Sequence, residues 1–368
     1  MKIRVLHIID HLGPGGAQVL VKNIAEKISN EHIETFVCAL RTSPLAIPVE
    51  ARLINLTYRK YNPCAIFAIA KLCKKYKIDI LHAHLTKSVI TSLMANFISK
   101  TPVIVHEHGP IFRKGLPFSI YRVLLRMFHN RAAAIVANSQ ATARQLVQSA
   151  AIGANGVEVI PNALDFGPFD SSKVARSKAR AKLGISEKDI VVGFVGRLHR
   201  VKGVDILIQA VCSLLRQSSN YLLVIAGDGP QRDSLEALAA QLGIAHRAKF
   251  LGMCDKAAEV MSAFDIGIVP SRQEPFGIVL LELMRMKVPV VSSGVDGMGE
   301  LVSNGQTALV AEPNTPASIC DCVKRLVEDV QLQRRLTENA YKFSEQFALT
   351  NQTDSIKKLY YQICKDVD

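Results

Sequence analysis

The chain contains no tryptophan among its 368 residues. Its eight cysteines (Cys38, Cys64, Cys73, Cys212, Cys254, Cys320, Cys322 and Cys364) form no CxxC pair, and none has a Cys/His spacing that would hold zinc. A disulfide framework is therefore not expected, and a reduced, cytoplasmic setting is. No apolar run approaches the length of a membrane-spanning helix. The opening "MKIRVLHIID" reads as a first strand and lacks the apolar core and cleavage site of a signal peptide. No Walker loop, nucleophile elbow or HExxH is present. The one D-x-D triplet is Asp366–Asp368, at the far end of the sequence. No catalytic metal and no resident cofactor are expected.

Acidic residues are scarce in the first half. Residues 1–165 hold 20 Lys/Arg against 9 Asp/Glu, whereas residues 166–368 hold 25 against 23. Most of the net charge of +13 thus sits in the first half, which calls for an anionic partner: nucleic acid, a membrane surface or a phosphorylated acceptor. No nucleic-acid recognition motif accompanies the charge, so nucleic acid is not expected.

What is present is alternation. "IRVLHII", "IDILHAH", "TPVIVHEHG" and "AAAIVANS" read as apolar strands separated by helical patterns. After a polar stretch the rhythm restarts with "IVVGFVGRL", "YLLVIAGDG", "AKFLGM", "FDIGIVPS", "VPVVSSG" and "TALVAEP". This predicts an α/β protein of two doubly wound, Rossmann-like domains. The boundaries read as 1–168, a connecting region 169–187, and 188–348, with a last helix over 349–368. Such sheets bind ligands beyond the carboxyl ends of their strands. The distinctive loops "GPGGAQ", "HAHL", "HEHGP", "GRLHRVKG", "AGDGP" and "PSRQEPFG" all fall there.

The segment "SRQEPFGIVLLE" places Glu274 before a helix and Glu282 within it. Pro275 suits a first helical turn, and Gly277 lets a ligand approach the backbone. The amides of Phe276, Gly277 and Ile278 then form an anion site at a helix start near Phe276. Two carboxylates about 12 Å apart, at about 1.5 Å per residue, suit hydroxyls at the two ends of an activated sugar, with its diphosphate between. That separation does not favour the paired acids of a glycosidase. Arg197 and Lys202 in "GRLHRVKG" supply cations for a leaving diphosphate. "GPGGAQ" is not GxGxxG, but Gly15 and Gly16 offer amides to a phosphate or form a plain turn. His108, His82 and His84 end strands and suit a sugar or acceptor pocket. His106 and Glu107 alternate onto opposite faces.

With these residues in order, the sequence resembles the retaining glycosyltransferases of family 4, which have the GT-B fold of two facing Rossmann-like domains. The resemblance rests on E-x7-E at Glu274 and Glu282, with "GPGGAQ", "HEHG", "VIPNALD", "GRLHRVKG", "IAGDGP" and "GELVSNGQTALV" in the family order. It departs at Ala163 and Ala308, where the family commonly has glycine.

The resemblance implies a role for each site residue. Glu282 would bind the ribose and Glu274 the donor sugar. Phe276, Gly277 and Ile278 would offer amides to the sugar and diphosphate, with Arg197 and Lys202 holding the diphosphate. Gly16 would approach donor or acceptor, and His108 would line the sugar and acceptor pocket. The final helix would return to brace the first domain. The implied donor is a nucleoside diphosphate-sugar, UDP first, and the acceptor a lipid-linked or surface glycan. Two alternatives remain open: a sugar-nucleotide epimerase and a non-catalytic sugar-nucleotide-binding protein. One stretch, with Arg122, Arg126 and Arg131 among Tyr121, Leu124, Leu125 and Phe128, reads as a basic amphipathic helix. It is of the kind that lies on an anionic membrane surface, which suggests peripheral attachment to the inner membrane face.

Overall fold

The computed structural model describes all residues except 1, 14, 45, 59–61, 110–115, 151, 154–155, 171–175 and 368. Pro14, Pro110, part of the connecting region and Asp368 therefore lie outside the described residues. The chain forms two units, Met1–Ala163 with Phe347–Asp368, and Leu164–Gln346. Residues 164–168 and the connecting region up to 187 thus belong with the second unit. The reason is local: Arg176 of the first helix there bonds Phe264 O at 2.6 Å and Asp265 at 2.5 Å.

The first unit runs β1 (Ile3–Ile9), α1 (Gly16–Ile28), β2 (Ile33–Ala39), β3 (Arg52–Asn55), α2 (Cys64–Tyr76), β4 (Ile80–His84), α3 (Thr86–Ser99), β5 (Val103–Glu107), α4 (Leu116–Phe128), β6 (Ala132–Ala137), α5 (Gln140–Ala150) and β7 (Glu158–Val159). The second runs α6 (Arg176–Lys182), β8 (Ile190–Val195), α7 (Val204–Leu215), β9 (Tyr221–Ala226), α8 (Arg232–Gln241), β10 (Ala248–Gly252), α9 (Ala257–Met261), β11 (Ile266–Val269), α10 (Ile278–Arg285), β12 (Val290–Ser292), β13 (Leu309–Val310), α11 (Pro316–Glu328) and α12 (Val330–Ser344). A last helix, α13 (Leu349–Val367), belongs to the first unit.

The sheets are ordered β3-β2-β1-β4-β5-β6-β7 and β10-β9-β8-β11-β12-β13, and every named strand pair is parallel. Parallel strands covered on both faces must be apolar throughout. "YLLVIA" of β9 shows it, with all six residues buried. The order reverses between β1 and β4 in one sheet and between β8 and β11 in the other. Loops leaving those strands diverge there and leave the crevice in which such sheets take ligands.

One face of the first sheet packs Val5, Ile80, Ile104 and Val136 against Leu20 and Ile24 of α1 and against Ile356, Leu359, Tyr360 and Ile363 of α13. The other face packs Leu6, Ile8, Leu81 and Val105 with Ile69, Leu93, Tyr121 and Leu125 of α2, α3 and α4. α13 earns its place by the i, i+3, i+4, i+7 spacing of its four apolar residues, which form one stripe. None of the described helices is long and apolar enough to cross a membrane.

Candidate functional site

In the second unit, the loops after β8 and β11 hang from the two switch-point strands and are laced together. Arg272 donates from both guanidinium ends to the Asp205 carboxylate, each at 2.7 Å, and also to Arg200 O at 2.9 Å. Its backbone N–H reaches Val201 O at 2.7 Å. Gly203 makes the close approach possible. It lies at φ 67°, and a Cβ there would stand 2.1 Å from Pro270 O.

This lacing brings Lys202 onto Glu274. The ammonium donates to Glu274 Oε2 at 2.5 Å, and Ser271 Oγ donates to the same oxygen at 3.2 Å. The Glu274 side chain is 12% exposed. Its backbone is held too: the N–H donates to Asp296 Oδ2 at 3.0 Å, and the carbonyl accepts from Met298 N at 3.3 Å. Ser271, Asp296 and Met298 are neighbours of the candidate site that sequence reasoning missed. Ser271 comes from the same loop, three residues before Glu274, whereas Asp296 and Met298 carry no spacing signal because the fold brings them from another loop.

The helix starts later than its sequence suggests. α10 begins at Ile278, with Gly277 as its cap at φ 97°. Pro275 therefore precedes the helix rather than opening it. A Cβ on residue 277 would come within 3.2 Å of Met298, so only glycine turns the chain here without strain. The Gly277 and Ile278 amides have no hydrogen-bond partner among the described residues. They face the start of an eight-residue helix whose dipole favours an anion. Phe276 is buried.

Glu282 lies one turn into α10 and is half-buried. Burial pushes its carboxyl up to about 7. The carboxylate itself makes no hydrogen bond or ion pair among the described residues. A desolvated carboxylate without a protein partner is an acceptor kept for something else. Arg197, just past β8, is exposed, and its guanidinium likewise has no partner among the described residues. The second unit thus offers a paired carboxylate and two cations on loops from the switch-point strands, with a helix start and, one turn into that helix, a second carboxylate without a partner among the described residues.

In the first unit, Gly15 caps α1 and Gly16 is its first residue, with open space where a side chain would be. His108 follows β5 and is 8% exposed. Both its ring nitrogens are engaged: Nε2 with His84 Nδ1 at 2.9 Å and Nδ1 with Asn162 Oδ1 at 3.3 Å. Burial lowers its pKa to about 4, so it is neutral. His106 shares its face, while Glu107 points to the opposite one, where Tyr121 Oη donates to it. Burial pushes Glu107 up to about 8.

The amphipathic stretch needs a correction. Tyr121 and Leu125 are buried in the core, and Leu124 and Phe128 are half-buried, so this apolar face is not free. The exposed apolar residues of α4 are others: Ile120, Val123 and Met127, at 50%, 57% and 63%. Phe97 and Ile98 of α3 are exposed beside the same helix, with Phe97 edge-on to Phe128. Arg126 and Arg131 are exposed among them, and Arg131 stacks over the Phe97 ring.

Comparison with known proteins matches both halves. Residues 175–343 match the family described as Glycosyl transferases group 1, and residues 14–167 match Glycosyltransferase Family 4. The chain is 28% identical to the alpha-D-kanosaminyltransferase of Streptomyces kanamyceticus, over 77% of each chain. It is 27% identical to the D-inositol 3-phosphate glycosyltransferase of Corynebacterium jeikeium, over 95% of this chain and 92% of the other. Among solved structures, Anabaena Alr3699/HepE in complex with UDP is similar, with a TM-score of 0.83 and 25% identity. The match covers 98% of this chain and all of that one.

Proposed function

The chain is a GT-B glycosyltransferase of the family 4 and group 1 type, and from that premise we propose that it moves a sugar from a UDP-sugar to an acceptor hydroxyl with retention. The observation that carries this is Glu282: a half-buried carboxylate with no partner among the described residues, on the helix whose free amides follow Glu274 of the Lys202–Glu274 pair. In this reading Glu282 accepts from the ribose hydroxyls and Glu274 from the sugar. Arg197, Lys202 and the amides of Gly277 and Ile278 take the charge of the leaving diphosphate. Cationic side chains do here what a divalent ion does elsewhere, so turnover should survive a chelator. The acceptor proton passes to a donor phosphate oxygen on the same face. UDP is the first choice of donor because the Anabaena structure holds it.

Nucleoside diphosphate release from a panel of UDP-, GDP-, ADP- and dTDP-sugars tests the reading, with and without membranes of the source cell. Release from one donor that rises with membranes supports transfer to a membrane-borne acceptor. Glu282→Ala and Lys202→Ala should each lower turnover at subsaturating donor; wild-type rates in both would sink the assignment. A sugar converted in place, with no acceptor consumed, would mean an epimerase instead.

Peripheral membrane attachment belongs to the same proposal. Its support is the exposed Ile120–Val123–Met127 stripe with Phe97 and Ile98, flanked by Arg126 and Arg131. Apolar side chains rimmed by cations suit the boundary of an anionic bilayer. In flotation, anionic vesicles should carry more protein than neutral ones at low salt, and Val123→Ser with Met127→Ser should reduce that. Equal binding to both vesicle types rejects the attachment.

A further inference from the structure

Five histidines gather on one face of the first sheet, at the carboxyl ends of β1, β4 and β5. They are His7, His82, His84, His106 and His108, and the first four are fully buried. Register puts them there: His7 lies opposite His82, and His84 opposite His106. Three of the rings join edge to edge. His7 Nδ1 meets His84 Nε2 at 3.0 Å with the rings 11° from parallel, and His84 Nδ1 meets His108 Nε2 at 2.9 Å at 21°. Near-coplanar rings at these distances point an N–H of one along the lone pair of the next. A second row, Tyr360–His82–His106, runs beside the first with contacts of 2.6 and 3.1 Å. The two rows stack, with ring centroids 4.3 Å apart for His82 and His84 and 4.0 Å for His106 and His108.

We propose that His7, His84 and His108 form one tautomerically coupled chain, set at its Asn162 end, that holds His108 as an Nδ1–H donor. Each neutral ring has one donor and one acceptor, so fixing one end fixes all. Asn162 Oδ1 accepts from His108 Nδ1. His108 Nε2 must then accept from His84 Nδ1, and His84 Nε2 from His7 Nδ1. The row ends at His7 Nε2, which is buried without a partner among the described residues. In this direction it ends as a bare lone pair. In the reverse direction, with the Asn162 amide turned over, it would end as a buried N–H with no acceptor. An orphaned buried N–H is the rarer and costlier of the two. The dead end also locks the chain. Reversing it would require a proton to leave His108 Nδ1 and another to reach His7 Nε2, where nothing supplies one.

The consequence is a role. His108 gives its one N–H to Asn162 and has its one lone pair taken by His84, so its ring is fixed at both nitrogens and does not serve as a general base. His7, His84 and Asn162 are positioning residues for it. The role rests on His108 lying at the sugar and acceptor pocket; the proton arrangement does not. The ring nitrogens of His84, His106 and His108 lie within 4.8 Å of one another, close enough for a metal ion. In the proposed direction the lone pairs of His84 and His108 are taken by His7 and His84, which leaves only His106, whose Nε2 has no partner among the described residues, with a nitrogen to spare.

Ring-nitrogen NMR of the intact, chelator-treated protein tests the chain directly. His7, His84 and His108 should each show a protonated Nδ1 and an unprotonated Nε2, unchanged from pH about 5 to about 8. Asn162→Leu should turn His84 from one tautomer into a mixture, although His84 does not touch Asn162. A protonated His108 Nε2 in the wild type overturns the proposal, as does a His84 indifferent to Asn162→Leu. Zn2+ that shifts all five rings at one equivalent would overturn it in favour of a metal site. If Asn162→Leu does not fold, the wild-type spectrum decides alone. None of these outcomes depends on which sugar is transferred, so this test and the donor panel fail separately.

Discussion

Glu282 and Glu274 are both glutamates of one short segment, yet their surroundings set them different tasks. Glu274 is held by Lys202 and Ser271, so removing its cation should hurt. Lys202→Met leaves a nearly buried carboxylate unpaired, at a cost of about 1–3 kcal/mol in denaturant unfolding. Pairing it with Glu274→Gln should recover part of that loss. The Glu282 carboxylate has no partner to lose among the described residues. Its carboxyl is raised from 4.5 to about 7, so the folded protein keeps a proton that the unfolded chain gives up. In that window the folded state binds more protons, and its stability falls as pH rises from about 4.5 to 7. Glu282→Gln should therefore raise Tm at pH 8, with the gain vanishing below pH 4.5. The same variant should weaken donor binding by about 10- to 100-fold, the worth of hydrogen bonds to a charged acceptor. Higher stability with poorer KM would mark Glu282 as a binding group.

At the level of elements, two joints decide the site. The turn at Gly277 sets the start of α10, at a φ of 97° that L side chains rarely adopt. Gly277→Ala should cost about 1–2 kcal/mol and lower donor affinity, because the shifted backbone moves the free amides. The seating of α13 is the other joint. Tyr360 is fully buried and bonds His82 at 2.6 Å. Tyr360→Phe removes only that bond, for about 1 kcal/mol. Tyr360→Ala opens a cavity under the helix and should cost about 3–5 kcal/mol in thermal or urea unfolding.

Over the whole molecule, the two units differ in how they are cut from the chain. The second is continuous, Leu164–Gln346, and has its own core. The first needs both ends of the sequence, because α13 covers Val5, Ile80, Ile104 and Val136. A fragment of residues 164–346 should fold cooperatively. A fragment of residues 1–163 should bind a hydrophobic dye and lack sharp unfolding until the α13 peptide is added. Cooperative folding of 1–163 alone would show that α13 is dispensable.

Much of this was legible in the sequence, because it follows from patterns a few residues long. Apolar runs bounded by glycine turns mark parallel strands, and alternation with helical stretches marks two doubly wound sheets. "SRQEPFGIVLLE" marks its own chemistry, since a carboxylate inside an apolar run has no cheap structural use. The tertiary structure decided whatever depends on partners distant in sequence. The helix start lies at Ile278 rather than near Phe276, in a turn that Met298 and Asp296 hold from another loop. The apolar face of α4 changed sides, since a helical pattern with two apolar stripes does not say which stripe meets the core. The histidines looked like separate strand ends. Only strand register, with His7 brought to His82 and His84 to His106, made them two stacked hydrogen-bonded rows, and register is set by packing across the sheet rather than by any one strand.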